Sequence, residues 1–177
     1  MRFTSITGIA ALLVASGCSA FVVSKDQPDG LYSVHIDGKR SEHILLLEYN
    51  ETETSYFDIK SIANPDPLPE VDVACAVNVW LDGINEMQAY SKFGIECDKG
   101  KGIGRKSGIY VKFGSVIVFA CSWGGSQPCS IPEYTEAMKI LDKNCGNLVA
   151  GFVQITDWKK IYGRTTVGEE TCGDGWD

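Results

Sequence analysis

Apolar and polar residues alternate from Val71 to Leu81, with Val71, Val73, Cys75, Val77, Val79 and Leu81 on one side. A period of two predicts a strand that buries one face. Two earlier runs, Leu31–Ile36 and His43–Tyr49, flank Asp37-Gly38-Lys39-Arg40, and Asp-Gly between such runs predicts a hairpin. A third short run, 56–62, ends at Asn64-Pro65-Asp66-Pro67-Leu68-Pro69-Glu70, whose three prolines make 64–70 a connector. The period then lengthens. Asp82 to Cys97 predicts a helix capped by Asp82 or Asn85, with Met87, Tyr90 and Ile84 on its inner stripe. Two strand runs joined by Gly114-Ser115 predict a second hairpin with a type II′ turn.

The clearest helix follows. Ser130 is placed as N-cap, Glu133 completes a capping box, and Pro132 sits in the first turn, where its missing N–H costs nothing. Tyr134, Ala137, Met138 and Leu141 form its buried stripe and Gly146 ends it. A last strand covers 148–156, and 158–177 is taken as a polar tail held only by Cys172. The expected fold class is α+β: a two-layer sandwich of one mainly antiparallel twisted sheet, two helices on one face and three disulfides.

Composition changes the picture at the N-terminus. Arg2, a short apolar run and small residues through Ala20 form a secretory signal pattern over 1–20, leaving 21–177 as one domain. The variant reading is a lipoprotein signal, with Cys18 as the lipidated residue in a bacterial host. No later run is long enough to cross a membrane as a helix. Of seven cysteines, Cys18 falls in the signal. Cys75, Cys97, Cys121, Cys129, Cys145 and Cys172 remain, an even set that predicts three disulfides outside the cytosol, among fifteen pairings. No CxxC occurs, so no metal site is expected, and nothing points to a cofactor.

Residues 74–100 and 120–146 can be laid over each other, each running from a strand cysteine through a helix to a second cysteine. Taken as a repeat, they pair Cys75 with Cys97 and Cys121 with Cys145, leaving Cys129 for Cys172.

The unit from Val116 through the second helix to Ile155, the ending 158–172, the signal and the six cysteines resemble small secreted fungal proteins. That group includes candidate plant-pathogen effectors and relatives of killer toxins with α/β-sandwich folds. The resemblance is best over 107–172. It implies binding of a host or competitor protein, or an anionic cell-surface component, and carries no catalytic residue across.

Candidate chemistry is sparse. The net charge of −7 opposes non-specific wrapping of duplex nucleic acid. Against it, Cys97–Gly108 concentrates Lys99, Lys101, Arg105 and Lys106 among glycines. The loop lacks the spacing of a phosphate-binding loop and leads into a strand, so it reads as a solvated helix-to-strand connector, or functionally as a basic finger for an anionic surface or acidic partner. His35 and His43 flank the first hairpin turn. Facing one another with Glu42 or Glu48, they would suit ribonuclease-type acid–base cleavage; otherwise they are ordinary strand residues. Trp158, Lys159, Lys160, Tyr162 and Arg164 read as a strand end with wet cations, and Trp80 and Trp123 as core caps, or else as a carbohydrate platform. Asn50-Glu51-Thr52 is a glycosylation sequon, and Lys39-Arg40 a dibasic processing sequence.

Overall fold

The computed structural model describes residues 20–37, 40–50 and 67–172. Residues 1–19 of the expected signal with Cys18, Lys39, the run 56–62, the first part of the 64–70 connector and the end of the expected tail lie outside them. In chain order the elements are β1 (Phe21–Val22), β2 (Gly30–Asp37), β3 (Arg40–Glu48), β4 (Val71–Trp80), α1 (Gly83–Asp98), β5 (Gly102–Ile103) and β6 (Ser107–Phe113). There follow β7 (Val116–Ser122), β8 (Gln127–Pro128), α2 (Ile131–Cys145), β9 (Val149–Ile155), β10 (Lys160–Thr166) and β11 (Glu170–Thr171).

Seven strands form one antiparallel sheet in the order β3-β2-β6-β7-β10-β9-β4. Alternation sorts its side chains. Ile109, Val111, Val116, Val118, Ala120, Val153 and Tyr162 meet the helices, joining Phe93 of α1 and Tyr134, Ala137 and Leu141 of α2 in one core. Tyr32, Val34, Ile36, Tyr110, Ile117, Phe119 and Ile161 form a second core with Phe21, Val23 and Cys172. The paired strands β1 and β11 thus cover part of the face that the helices do not.

Both hairpins form as the pattern predicts. At the second, Gly114 takes a φ of +55 and Ser115 does not, as a type II′ turn requires. Asp82 caps α1 by accepting from the N–H groups of Ile84 (3.1 Å) and Asn85 (2.9 Å), which settles the cap.

Four expectations change. First, 158–177 is not a tail: β10 is an interior strand between β7 and β9. Its polar letters concealed a period of two, with Lys160, Tyr162 and Arg164 on the helix face and Ile161 opposite. Second, α1 buries Ala89, Phe93 and Cys97, while Ile84 and Met87 stay exposed. The inner stripe lies on the C-terminal half of the helix, because α1 packs on β6 and β7, across the sheet from the strand it follows. Third, the alternation of β4 breaks between Cys75 and Trp80, where Asn78 has a φ of +63 and Val77 is 83% exposed. Fourth, the bridges are Cys75–Cys145, Cys97–Cys129 and Cys121–Cys172, with Cα separations of 5.5, 4.8 and 6.1 Å.

The repeat-based pairing fails for a topological reason. Because α1 crosses to β6 and β7, Cys97 ends far from Cys75. Helix α2 packs on β9, β10 and β4, which delivers Cys145 to Cys75 at the sheet edge. Cys121 points into the core under β1 and β11, away from both helices, so Cys172 is its partner.

Candidate functional site

The basic loop is built from its disulfide outward. Cys97 closes on Cys129, and the Cys129 N–H donates to the Lys101 carbonyl at 3.0 Å, pinning the loop at its root. There β5 pairs with β8. Lys99 turns back to the Glu96 carboxylate at 2.7 Å, and Lys101 is half-buried. Arg105 and Lys106 stand out in the turn before β6, and Lys106 adopts a φ of +49. Its carbonyl accepts from the Ile36 N–H at 3.1 Å, which brings the turn against the tip of the first hairpin. Arg40 opens β3 there, exposed and opposite Asp37. Of the four predicted cations Lys99 is exposed but paired with Glu96, and Arg105 and Lys106 stand exposed at the corner beside the hairpin tip, where Arg40, set aside by sequence reasoning as part of a processing site, also lies.

The two histidines separate. In the β2–β3 register His35 faces Glu42, and His43 faces Val34. His35 lies on the helix side of the sheet, with Nδ1 3.2 Å from the Ser107 hydroxyl. His43 lies on the other side against Phe21 and Tyr110. The Gln27 amide donates to the Tyr110 hydroxyl, which is 2.8 Å from His43 Nδ1, and burial holds the His43 pKa below its ordinary value. A one-residue difference in register parity sends the two rings to opposite faces. A shared acid–base centre is not assembled.

The charges that the pattern missed are the buried ones. Lys160 is 1% exposed, and its ammonium donates to Glu133 Oε2 at 2.7 Å and to the Pro128 carbonyl at 3.0 Å. The Tyr162 hydroxyl donates to the same carboxylate oxygen at 2.9 Å. This diverts Glu133 from the expected capping box, and Ser130 caps α2 without a side-chain hydrogen bond. Arg164, 3% exposed, donates from Nε to the Val149 carbonyl, from one terminal nitrogen to Asp142 and the Gly146 carbonyl, and from the other to Glu86 at 3.4 Å. The expectation of wet cations fails for both residues. Each faces a helix, where only a carboxylate or carbonyl partner makes burial tolerable. Lys159 does stay exposed.

Arg164 floors a cleft of about 450 Å³ between α1 and α2, walled by Met87 and Tyr90 on one side and Met138 on the other. The Tyr90 hydroxyl donates to Thr135 at 3.4 Å. Burial raises the Glu86 pKa, Arg164 opposes the rise and Asp142 adds to it.

Trp123 packs partly buried against the second core, as a cap should. Trp80 does not: it is 68% exposed, beyond the break in β4. Asn50 is exposed just after β3, with the rest of its sequon outside the described residues. Among the described residues no group of His, Cys, Asp and Glu is placed to hold a metal ion, and no helix is long and apolar enough to cross a membrane.

Compared with protein-family models, curated proteins and solved structures, the chain matches none. Its function is therefore argued from its own residues.

Proposed function

We propose that this chain is a secreted, non-catalytic binding protein, effector- or toxin-like, acting on a host or competitor target with an anionic surface. In this reading the architecture is the two-layer sandwich of the small secreted fungal proteins that the sequence resembles. Its sheet is a rigid frame stapled by disulfides against an extracellular medium. The observation that carries the reading is the corner formed by Arg40, Arg105 and Lys106. Three exposed cations, two in the turn before β6 and one at the start of β3, share one end of the sheet on a protein of net charge −7, so their field is local. The loop that presents Arg105 and Lys106 is anchored by a disulfide and a short ladder, which lowers the ordering cost on docking.

The test is salt-dependent retention on heparin as an anionic probe, and on target cells. Arg105→Glu with Lys106→Glu abolishes retention at physiological salt, whereas Lys143→Glu, on the exposed side of α2, leaves it nearly unchanged. Equal loss from both changes would mean that only net charge matters, and the corner would have no role.

A second reading rests on exposed Trp80, whose ring is available for stacking on a sugar. Failure of the protein to bind chitin, glucan and cellulose columns removes it.

A further inference from the structure

The interhelical cleft is independent of the basic corner. It lies toward the N-terminal half of α1 and the C-terminal half of α2, whereas the basic loop begins where α1 ends. Its hydrogen-bonding groups do not balance. Two carboxylates, Glu86 and Asp142, share one guanidinium. The Arg164–Glu86 contact of 3.4 Å is longer than a good N–H···O bond, and Glu86 is only 14% exposed. A carboxylate so buried and so loosely paired is costly. Burial accordingly raises its pKa.

A second group is left over. Tyr134 is wholly buried, and its hydroxyl has no hydrogen-bond partner. Its ring packs at a tilt of 38° on the Tyr90 ring, centroids 4.7 Å apart, so it backs the cleft wall without lining the cleft itself. Lys139 at the rim is no internal counter-ion: it is mostly exposed and 3.5 Å from Glu136. At the floor two carboxylates face one buried cation, Arg164, which leaves a net negative charge there. What the cleft offers besides oxygen is polarisable apolar wall: the thioethers of Met87 and Met138 and the ring of Tyr90. A volume of about 450 Å³ holds a small organic molecule.

We propose that this cleft binds an organic ammonium ion on a short apolar stem. The ammonium meets Glu86 and Asp142 above Arg164, and the stem lies between Met87 and Met138. The same chemistry can come from a free alkylamine or from a lysine side chain of a partner protein flanked by apolar residues.

Methionine methyl labelling reads this directly. The chain has three methionines; Met1 belongs to the signal pattern, and the other two both line the cleft. With ¹³C-methyl methionine, the secreted protein is titrated with n-hexylammonium, n-hexanol, n-hexanoate and the capped peptide acetyl-Leu-Lys-Leu-amide. Saturable shifts of both methyl signals with hexylammonium are expected, with hexanol about tenfold weaker or worse and hexanoate inert. Glu86→Gln, close in shape, weakens hexylammonium about tenfold, and Asp142→Asn is the second variant should the first not fold. Tighter binding of the peptide than of the amine supports a protein-borne lysine, and the reverse supports a free amine. The proposal is overturned if neither saturates, if hexanol matches hexylammonium, or if both variants bind like the wild type.

Discussion

Glu133→Gln isolates the cost of stranding a buried cation. Glu133 Oε2 receives both the Lys160 ammonium and the Tyr162 hydroxyl, at 2.7 and 2.9 Å. Removing the negative charge leaves Lys160, 1% exposed, with the Pro128 carbonyl and the faces of Trp158 and Tyr162. Breaking a buried pair from one side costs about 3–5 kcal/mol. Glu133 is 22% exposed and admits some water, and the amide oxygen still accepts, so the low end applies, about 3 kcal/mol. For a domain of this size that lowers Tm by roughly 6–12 °C. The internal control is Glu136→Gln on the same helix, whose partner Lys139 is 59% exposed at 3.5 Å; its loss costs under about 0.5 kcal/mol. Urea unfolding with disulfides intact measures both. Equal, small losses in the two variants would mean that Lys160 is hydrated in the native state, and the buried-charge argument would be wrong.

Other consequences are sharper in direction than in size. Gly163 pairs with Phe152 of β9, and a Cβ there would strike the Phe119 ring and sit 2.8 Å from the Gly151 carbonyl. Gly163→Ala should therefore cost about 3 kcal/mol in urea unfolding, against under about 0.5 kcal/mol for Gly125→Ala, which meets open space. His43 titrates with folding. Its folded pKa lies below its unfolded value, so its contribution is complete above about pH 6.5 and is lost as pH falls through the folded value. Neutral His43 can take the Tyr110 hydroxyl proton at Nδ1, 2.8 Å away, a role that protonated imidazole, a donor at both nitrogens, cannot play. Stability falling less between pH 7.5 and 5 in His43→Gln than in wild type is the expected result; parallel curves refute it. Non-reducing peptide mapping should recover Cys75–Cys145, Cys97–Cys129 and Cys121–Cys172, and a Cys75–Cys97 peptide would refute the crossing of α1.

Local chemistry was legible in the sequence where one residue decides one torsion or one cap. Asp82, Gly114, Gly146 and the stripe from Tyr134 to Leu141 all act within a turn or two of themselves. What the chain did not reveal depends on partners distant in sequence. The face of α1 that is buried follows from its crossing to β6 and β7, which no spacing within α1 encodes. The cysteine pairing follows from the same crossing. Strand β10 was hidden because its core-facing letters are Lys, Tyr and Arg, and hydropathy reads them as surface. Their alternation with Ile161 and Gly163 was the available signal. For the basic corner the sequence supplied Arg105 and Lys106, but only the β2–β6 register adds Arg40.

The buried cations of β10 also fix where α2 lies. Lys160 and Arg164 are four strand residues apart, about 13 Å at the rise of a β-strand. Their carboxylate partners, Glu133 and Asp142, are nine helix residues apart, again about 13 Å at the helical rise. The two spacings match, so both pairs close only when α2 runs alongside β10 in one register. A slip by one turn would move each carboxylate about 5 Å from its cation, leaving Lys160 with no carboxylate and Arg164 with only the longer contact to Glu86. Apolar contacts alone would tolerate such a slip far better, because Ala137, Met138 and Leu141 meet a surface of similar side chains on either side. The same register brings Cys145 to Cys75 at the edge of the sheet and sets Asp142 over the cleft. Ion pairs that add little net stability can in this way determine both the third dimension of the fold and the geometry of its pocket.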